Sequence, residues 1–332
     1  MEIGIIGLGK MGSAVAHRYE KLGYRINGYD IPEKLNELRK EFAGTNVHIL
    51  DSGVAVSRRS DFISYSVPAE NIEYVVSEFG PSTKQGAVVT GDTSVKKPEV
   101  KAFERYLPDD VHIIPCHRLY GPSISPTKSQ GLVVINHRSS EEAYNFALRI
   151  FEKEGAQIMP LSNYEEHDRL TADSQATTQT GFLSMASAWK NAGIFPWENE
   201  SYIGGIDNVK ILMALRILYN ESHVYSGIAI LNPYAKKQIN QYARSAVELF
   251  SLMIRRRETE FRNRIEIAGD FVFENSAPPL MLDDLIMGEF NLGKKNGRKP
   301  NSHLSQFALI DSWRELEIKP HRNSICSTPL ST

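Results

Sequence analysis

Gly7-Leu8-Gly9-Lys10-Met11-Gly12 follows an apolar run containing Ile3, Ile5 and Ile6, and opens a helical pattern through Ala14, Val15, Ala16, Tyr19 and Leu22. Glycines at this spacing are weak evidence alone; the order strand, tight turn, helix gives them weight. A second strand pattern over 24–29 ends at Asp30, 18 residues beyond Gly12. Each glycine has a task. Gly7 makes the turn, Gly9 lets backbone approach a pyrophosphate, and Gly12 packs the helix against the strand. The helix N-terminus then offers N–H groups and a positive dipole end to phosphates. The stretch predicts a nicotinamide dinucleotide over Gly7, Leu8, Gly9, Lys10, Met11, Gly12 and Asp30.

Outward from this motif, strand patterns at 2–6, 24–29, 47–50, 61–67, 87–91, 111–116, 131–136 and 156–161 alternate with helical ones at 10–22, 32–43, 69–79, 98–106 and 140–154. Such alternation predicts an α/β fold, a Rossmann-type, mostly parallel sheet covered on both faces, over residues 1–161. Near 162 the character changes. Ser162 and Glu165 read as a capping box at the head of a long helix through Trp189. Further helical patterns lie near 206–230, 233–265, 280–288 and 302–316, with a loop at 291–301. Residues 162–332 are therefore predicted to form an all-helical domain. A length of 332 residues suits two such domains.

Composition narrows the function classes. Hydrophobic content of 41% and charged content of 23% are those of a soluble globule. A net charge of −2 gives no reason to expect nucleic acid or an acidic membrane as partner. The basic clusters Arg255-Arg256-Arg257 and Lys294 to Lys299 read as a solvated helix face and a loop. Two cysteines, Cys116 and Cys326, exclude a disulfide framework. No His spacing suits a metal, so none is expected. Strand one starts at residue 2, leaving no room for a signal peptide, and no apolar run reaches the ~20 residues of a membrane span. A cytoplasmic enzyme is the expectation, and the sequons at Asn199 and Asn220 then carry no glycan.

In parallel sheets ligands bind beyond the carboxyl ends of the strands. Three such ends carry chemistry: Ser66-Val67-Pro68, where the chain turns beside a cofactor ribose; Asp92-Thr93-Ser94-Val95-Lys96; and Cys116-His117-Arg118. His117 has the pKa range of a general base near neutral pH, and by position alone it is either that base or a satisfied loop histidine. His167-Asp168 reads first as a helix cap. Cys116 reads as packing. Arg216 lies on the apolar helix Ile211–Leu218, either snorkelling to water or holding an anion.

Together these segments resemble the prephenate dehydrogenase family, particularly its fungal form. The resemblance runs through Gly7–Gly12, Asp92–Lys96, His117 with Gly121, Glu166–Asp173, Phe182–Met185, Leu215–Ile217, His223–Tyr225, Pro300–Leu304 and Cys326–Leu330. It implies oxidative decarboxylation of prephenate to 4-hydroxyphenylpyruvate in tyrosine biosynthesis. It implies that His117 accepts the substrate hydroxyl proton, that Ser94 bonds the same hydroxyl, and that Arg216 binds a substrate carboxylate. It also implies a homodimer formed through the helical domain. Relatives place a second histidine twelve residues beyond His167, where this chain has Gln179, a neutral hydrogen-bonder. The tail after Leu330 is shorter than in fungal relatives, and no regulatory ACT or chorismate mutase domain is expected. Cofactor choice divides: Asp30 favours NAD by bonding a ribose 2′-hydroxyl, whereas the resemblance implies NADP. A dehydrogenase of arogenate or of a 3-hydroxy acid, and a non-catalytic dinucleotide sensor, are the competing readings.

Overall fold

The computed structural model describes residues 1–273 except 126, 128–129, 194, 196–197, 199–205 and 220, with no side chains described at 206–209. The patterns expected at 280–288, 291–301 and 302–316, the second basic cluster, the sequon asparagines, Cys326 and the last two resemblance motifs lie outside these residues. The chain divides into two compact units, Met1–Leu170 and a second from Thr171.

In the first unit, β1 (Glu2–Ile6), β2 (Arg25–Tyr29), β3 (Val47–Ile49), β4 (Phe62–Tyr65), β5 (Val88–Gly91) and β6 (His112–Ile113) form one sheet in the order β3-β2-β1-β4-β5-β6. Every pairing in it is parallel. The order reverses between β1 and β4, which makes the crevice there the expected ligand position. Alternation along β1 explains burial on both faces. Ile3 and Ile5 pack with Val15, Ala16 and Tyr19 of α1 (Lys10–Lys21), while Ile6 joins Val56, Ile63 and Tyr65 on the other side. Helices α2 (Leu35–Glu41), α4 (Ile72–Phe79), α5 (Lys96–Tyr106) and α6 (Glu141–Lys153) fall within the expected patterns, α5 starting two residues earlier.

Two local features differ from the sequence reading. A seven-residue helix, α3 (Gly53–Arg59), lies between β3 and β4. Ser52 caps it by accepting the Ala55 N–H at 3.2 Å, but it is too short for a visible period. It packs so closely on β1 that a Cβ on Gly4 would stand 2.7 Å from Ser60 Oγ. Second, the strand expected at 111–116 is two strands in two sheets. Pro115 has no N–H to continue a ladder. Past it the chain enters a small sheet of β7 (Cys116–Arg118), β8 (Gly131–Ile135) and β9 (Gln157–Leu161). There β7 pairs antiparallel and β9 parallel to β8. His117 is therefore a residue within the small sheet, opposite Val133, rather than at the carboxyl end of a main-sheet strand.

The first unit closes with α7 (Tyr164–Thr171). Its cap sits one residue later than expected. Asn163 Oδ1 accepts the Glu166 N–H at 2.8 Å, and Glu166 reaches back to the Ser162 N–H at 2.9 Å.

The described part of the second unit is helical. A π-helical turn (Ala172–Ala176) leads into α8 (Thr177–Ala192), which ends at Gly193 in the left-handed conformation, φ 64°. Then come α9 (Ile206–Tyr219), α10 (Ser222–Ser226), a π-turn (Gly227–Leu231), α11 (Ala235–Ile254) and α12 (Glu258–Phe273). α8 packs on α9 and α11. At Gly181 a Cβ would lie 3.0 Å from the Tyr242 hydroxyl, which explains the small residue at that crossing.

Candidate active site

The glycine loop divides its labour as the residues suggest. Gly7 has φ +93°, and a Cβ there would lie 2.4 Å from the Ser66 carbonyl oxygen. A Cβ on Gly12 would stand 1.9 Å from the Gly7 carbonyl oxygen, so any side chain at either position displaces backbone. Gly9 is the opposite case. A Cβ there meets nothing within 4 Å, and Gly9 is the N-cap of α1 with no side-chain cap bond. Open space over uncapped helix amides is the geometry that admits a pyrophosphate. Leu8 is buried, Met11 half-buried and Lys10 exposed. Half-buried Ser66 follows β4 and donates its N–H to the Ile6 carbonyl at 2.7 Å, placing it beside the loop.

Asp30 ends β2, but its carboxylate is directed into the protein. Oδ2 accepts the Leu8 N–H and Oδ1 the Ile31 N–H, each at 2.7 Å, and the side chain is only 9% exposed. The half-exposed Lys34 ammonium lies 3.5 Å from Oδ1. The acid is thus a brace on the glycine loop with a cation beside it.

The Asp92–Lys96 loop between β5 and α5 is held by buried charge. Lys96 is fully buried and donates to the Gly91 carbonyl at 2.9 Å and to Glu99 at 2.8 Å. Glu99 in turn accepts the Thr93 N–H at 3.1 Å and the Thr93 hydroxyl at 2.6 Å. Ser94, half-buried, sits in this pinned loop.

Strand β7 sorts its side chains by alternation. Cys116 and Arg118 face Asp92: the thiol lies 3.5 Å from its Oδ1, and the guanidinium is bonded to the same oxygen. Arg118 also donates to Glu154 at 2.5 and 3.1 Å and to the Tyr19 hydroxyl at 3.0 Å, all buried. Burial pushes the Cys116 thiol up to about 12, which disfavours a thiolate nucleophile.

His117 faces the other way and is 6% exposed. Its Nδ1 is 2.8 Å from His167 Nε2, and His167 Nδ1 is 2.9 Å from Asp168 Oδ1. The Asp168 carboxylate accepts the Lys96 N–H at 2.7 Å and the Lys97 N–H at 2.9 Å. It thereby caps α5, whose own N-cap, Val95, supplies no side-chain bond. Burial holds the His117 imidazole well below its ordinary range, reinforced by His167 and Lys96. Burial also lowers His167, against the opposing pull of Asp168. Both rings are held neutral, and a neutral imidazole can accept a proton. The sequence alone reads His167 and Asp168 as a cap. Asp168 is a cap, but of a helix that begins 72 residues away, and His167 is the neighbour of His117. The adjacent His-Asp pair on one helix is the signal that points there.

The structure thus gathers the Ser94 loop, His117, His167 and Asp168 in the first unit, which also holds the glycine loop and Asp30. Gln179 and Arg216 belong to the second unit. Gln179 is half-buried on α8. Arg216 is exposed on α9, beside exposed Leu215 and opposite the buried Ala214 and Ile217. Among the described residues, no group of three or more His, Cys, Asp or Glu side chains could hold a metal ion. None of their helices is long and apolar enough to cross a membrane.

Comparison with known proteins adds the following. The family model described as "NADP oxidoreductase coenzyme F420-dependent" matches residues 2–91, and that of a "6-phosphogluconate dehydrogenase C-terminal domain" matches residues 176–332. A Saccharomyces cerevisiae protein named "Prephenate dehydrogenase (NADP+)" is 46% identical over 339 residues, covering 99% of this chain and 74% of its own. A Schizosaccharomyces pombe protein named "Probable prephenate dehydrogenase (NADP+)" is 44% identical over 335 residues, covering 99% and 77%. Among solved structures, prephenate dehydrogenase from Aquifex aeolicus, in complex with hydroxyphenyl propionate and NAD+, superposes with a TM-score of 0.64 at 18% identity. It covers 83% of this chain and 98% of that one, a likeness of fold.

Proposed function

The chain belongs to the prephenate dehydrogenase family, and from this membership we propose that it catalyses the oxidative decarboxylation of prephenate to 4-hydroxyphenylpyruvate with NADP as oxidant. The single observation that carries the reading is His117, a buried, neutral imidazole whose Nδ1 is engaged by His167. Such a ring has one nitrogen left for a substrate proton.

The glycine loop and the N-terminus of α1 fit a dinucleotide, because Gly9 leaves its backbone open while Gly7 and Gly12 are closed against their neighbours. When bound, the nicotinamide supplies the hydride acceptor. This chain's residues manage the rest. His117 takes the hydroxyl proton as hydride leaves the same ring carbon. The ring carboxylate leaves as carbon dioxide, its electron pair completes the aromatic ring, and His117 returns the proton to the phenolate oxygen. No net proton is released. Ser94 orients the hydroxyl, and Lys96, Thr93 and Glu99 keep its loop rigid.

In the helical unit, the exposed Arg216 is the proposed partner of a substrate carboxylate and Gln179 a neutral hydrogen-bonder to substrate. NADP is supported by the names of both fungal relatives and by Lys34 beside Asp30. A cytoplasmic homodimer, joined through the helical unit, completes the proposal; exposed Val247, Phe250 and Ile254 on α11 favour such a contact.

The test is absorbance of reduced nicotinamide on mixing the protein with prephenate or arogenate and NADP or NAD. Turnover of prephenate with NADP is expected. Turnover of arogenate alone, or cofactor binding without turnover of either, would overturn the proposal.

A further inference from the structure

We propose that His167 is a positioning residue which, oriented by Asp168, fixes His117 as the tautomer protonated on Nδ1 and so leaves Nε2 as the site of proton uptake. This rests on the reading of His117 as the base.

The argument follows donors and acceptors along the chain of contacts. Three donors converge on the Asp168 carboxylate: the N–H groups of Lys96 and Lys97, at 2.7 and 2.9 Å, and His167 Nδ1 at 2.9 Å. An ionised carboxylate only accepts, so His167 carries its proton on Nδ1. In the neutral ring Nε2 is then a lone pair. The 2.8 Å contact from His167 Nε2 to His117 Nδ1 needs one donor, and only His117 can supply it. With Nδ1 protonated, the neutral His117 ring presents a bare Nε2. Neutrality of both rings agrees with their burial, at 6% and 2% exposure, and with the buried Lys96 ammonium nearby. The charged or titratable groups that bear on His117 are His167 and Lys96, and those on His167 are Asp168 and Lys96.

The arrangement has a further effect during the reaction. While His117 holds the substrate proton it is an imidazolium, with its Nδ1–H directed at the His167 lone pair. The electron density of that acceptor is raised by Asp168, whose own charge is steadied by the first amides of α5. His167 thus both selects the tautomer and supports the transient cation. Triads of the serine-hydrolase kind show the scale, since a wrong tautomer there lowers kcat by about 10⁴-fold.

The test uses the full chain. Nitrogen-15 spectra of the imidazoles in the wild type are expected to show His117 protonated on Nδ1 at neutral pH. His167→Phe removes the acceptor and is expected to scramble that tautomer and to lower kcat by about 10²-fold, with KM within about threefold. His167→Gln, whose amide can donate to Asp168 and accept from His117, is expected to restore the tautomer and most of kcat. The inference is overturned if wild-type His117 is protonated on Nε2. It is equally overturned if His167→Phe leaves tautomer and kcat unchanged, or if His167→Gln fails to restore them while cofactor affinity is intact. Failure of the base assignment is separable: His117→Asn would then retain activity, whereas the tautomer spectra still report on the pair.

Discussion

The Asp30 carboxylate accepts the Leu8 N–H at 2.7 Å, tying the end of β2 to the middle of the glycine loop. Its first task is therefore to shape the phosphate site, and this predicts the response to its removal. Asp30→Ala is expected to weaken NADP and NAD alike, by about tenfold each, the scale of one charge-assisted hydrogen bond. Lys34→Ala, by contrast, should weaken NADP alone. Titration of both cofactors checks this. A selective gain in NADP affinity for Asp30→Ala would mean that the carboxylate faces the ribose.

Two neighbouring glycines should behave differently. Gly9→Ala adds a methyl group to open space and is expected to leave the melting temperature near that of wild type while raising the cofactor Kd. Gly12→Ala forces a Cβ to within 1.9 Å of the Gly7 carbonyl and should lower stability as well. Thermal melts with and without NADP separate the two. Equal loss of fold in both variants would count against a ligand over Gly9.

His117→Asn is expected to reduce kcat by ~10²–10⁴-fold with little change in cofactor affinity. Because burial depresses the His117 and His167 pKa values, the folded protein binds fewer protons than the unfolded chain just below the ordinary histidine value near 6.5. Stability is thus fully present above about pH 6.5 and declines as pH falls below it. The acid limb of kcat should likewise lie below about pH 6.5. A kcat profile breaking above about pH 7 would contradict a base held neutral by burial.

Arg118 is enclosed by Asp92 and Glu154, with all three side chains 4% exposed or less. Removing one partner of such a set strands the others without solvent. Arg118→Ala is expected to cost about 3–5 kcal/mol. Denaturant unfolding measures it directly, and a loss below about 1 kcal/mol would show that water reaches the cluster.

Arg216 should act on substrate without acting on the fold. Exposed on α9, it contributes little burial, so Arg216→Ala should leave the melting temperature nearly unchanged while raising KM for prephenate. An unchanged KM would remove it from substrate binding. Gln179→His is the companion experiment, expected to introduce a second ionisation near neutral pH into kcat/KM.

Local chemistry made the first unit legible. Ile3, Ile5 and Ile6 mark a strand buried on both sides, and three glycines mark a turn that tolerates no side chain at two of its positions. What stayed hidden was either short or distant in sequence. α3 has seven residues and no full apolar period. The exit of the chain from the main sheet depends on Pro115, whose missing N–H reads as well as an ordinary strand end. The contacts of His117 with His167, and of Lys96 with Asp168, span 50 and 72 residues, and no periodicity encodes such a meeting. The same distance hid Arg118, whose partner Glu154 looks on paper like any carboxylate at a helix end.

The amides of Lys96 and Lys97 end on the carboxylate that orients His167, and this gives the site a built-in reporter. A change of charge on the imidazole pair alters the acceptor strength of Asp168, and with it the shielding and exchange rate of two backbone protons at the head of α5. Those protons are present in every molecule, need no label on the substrate, and sit outside the path of hydride. Following them during turnover would show when the ring pair gains its proton and when it gives it back.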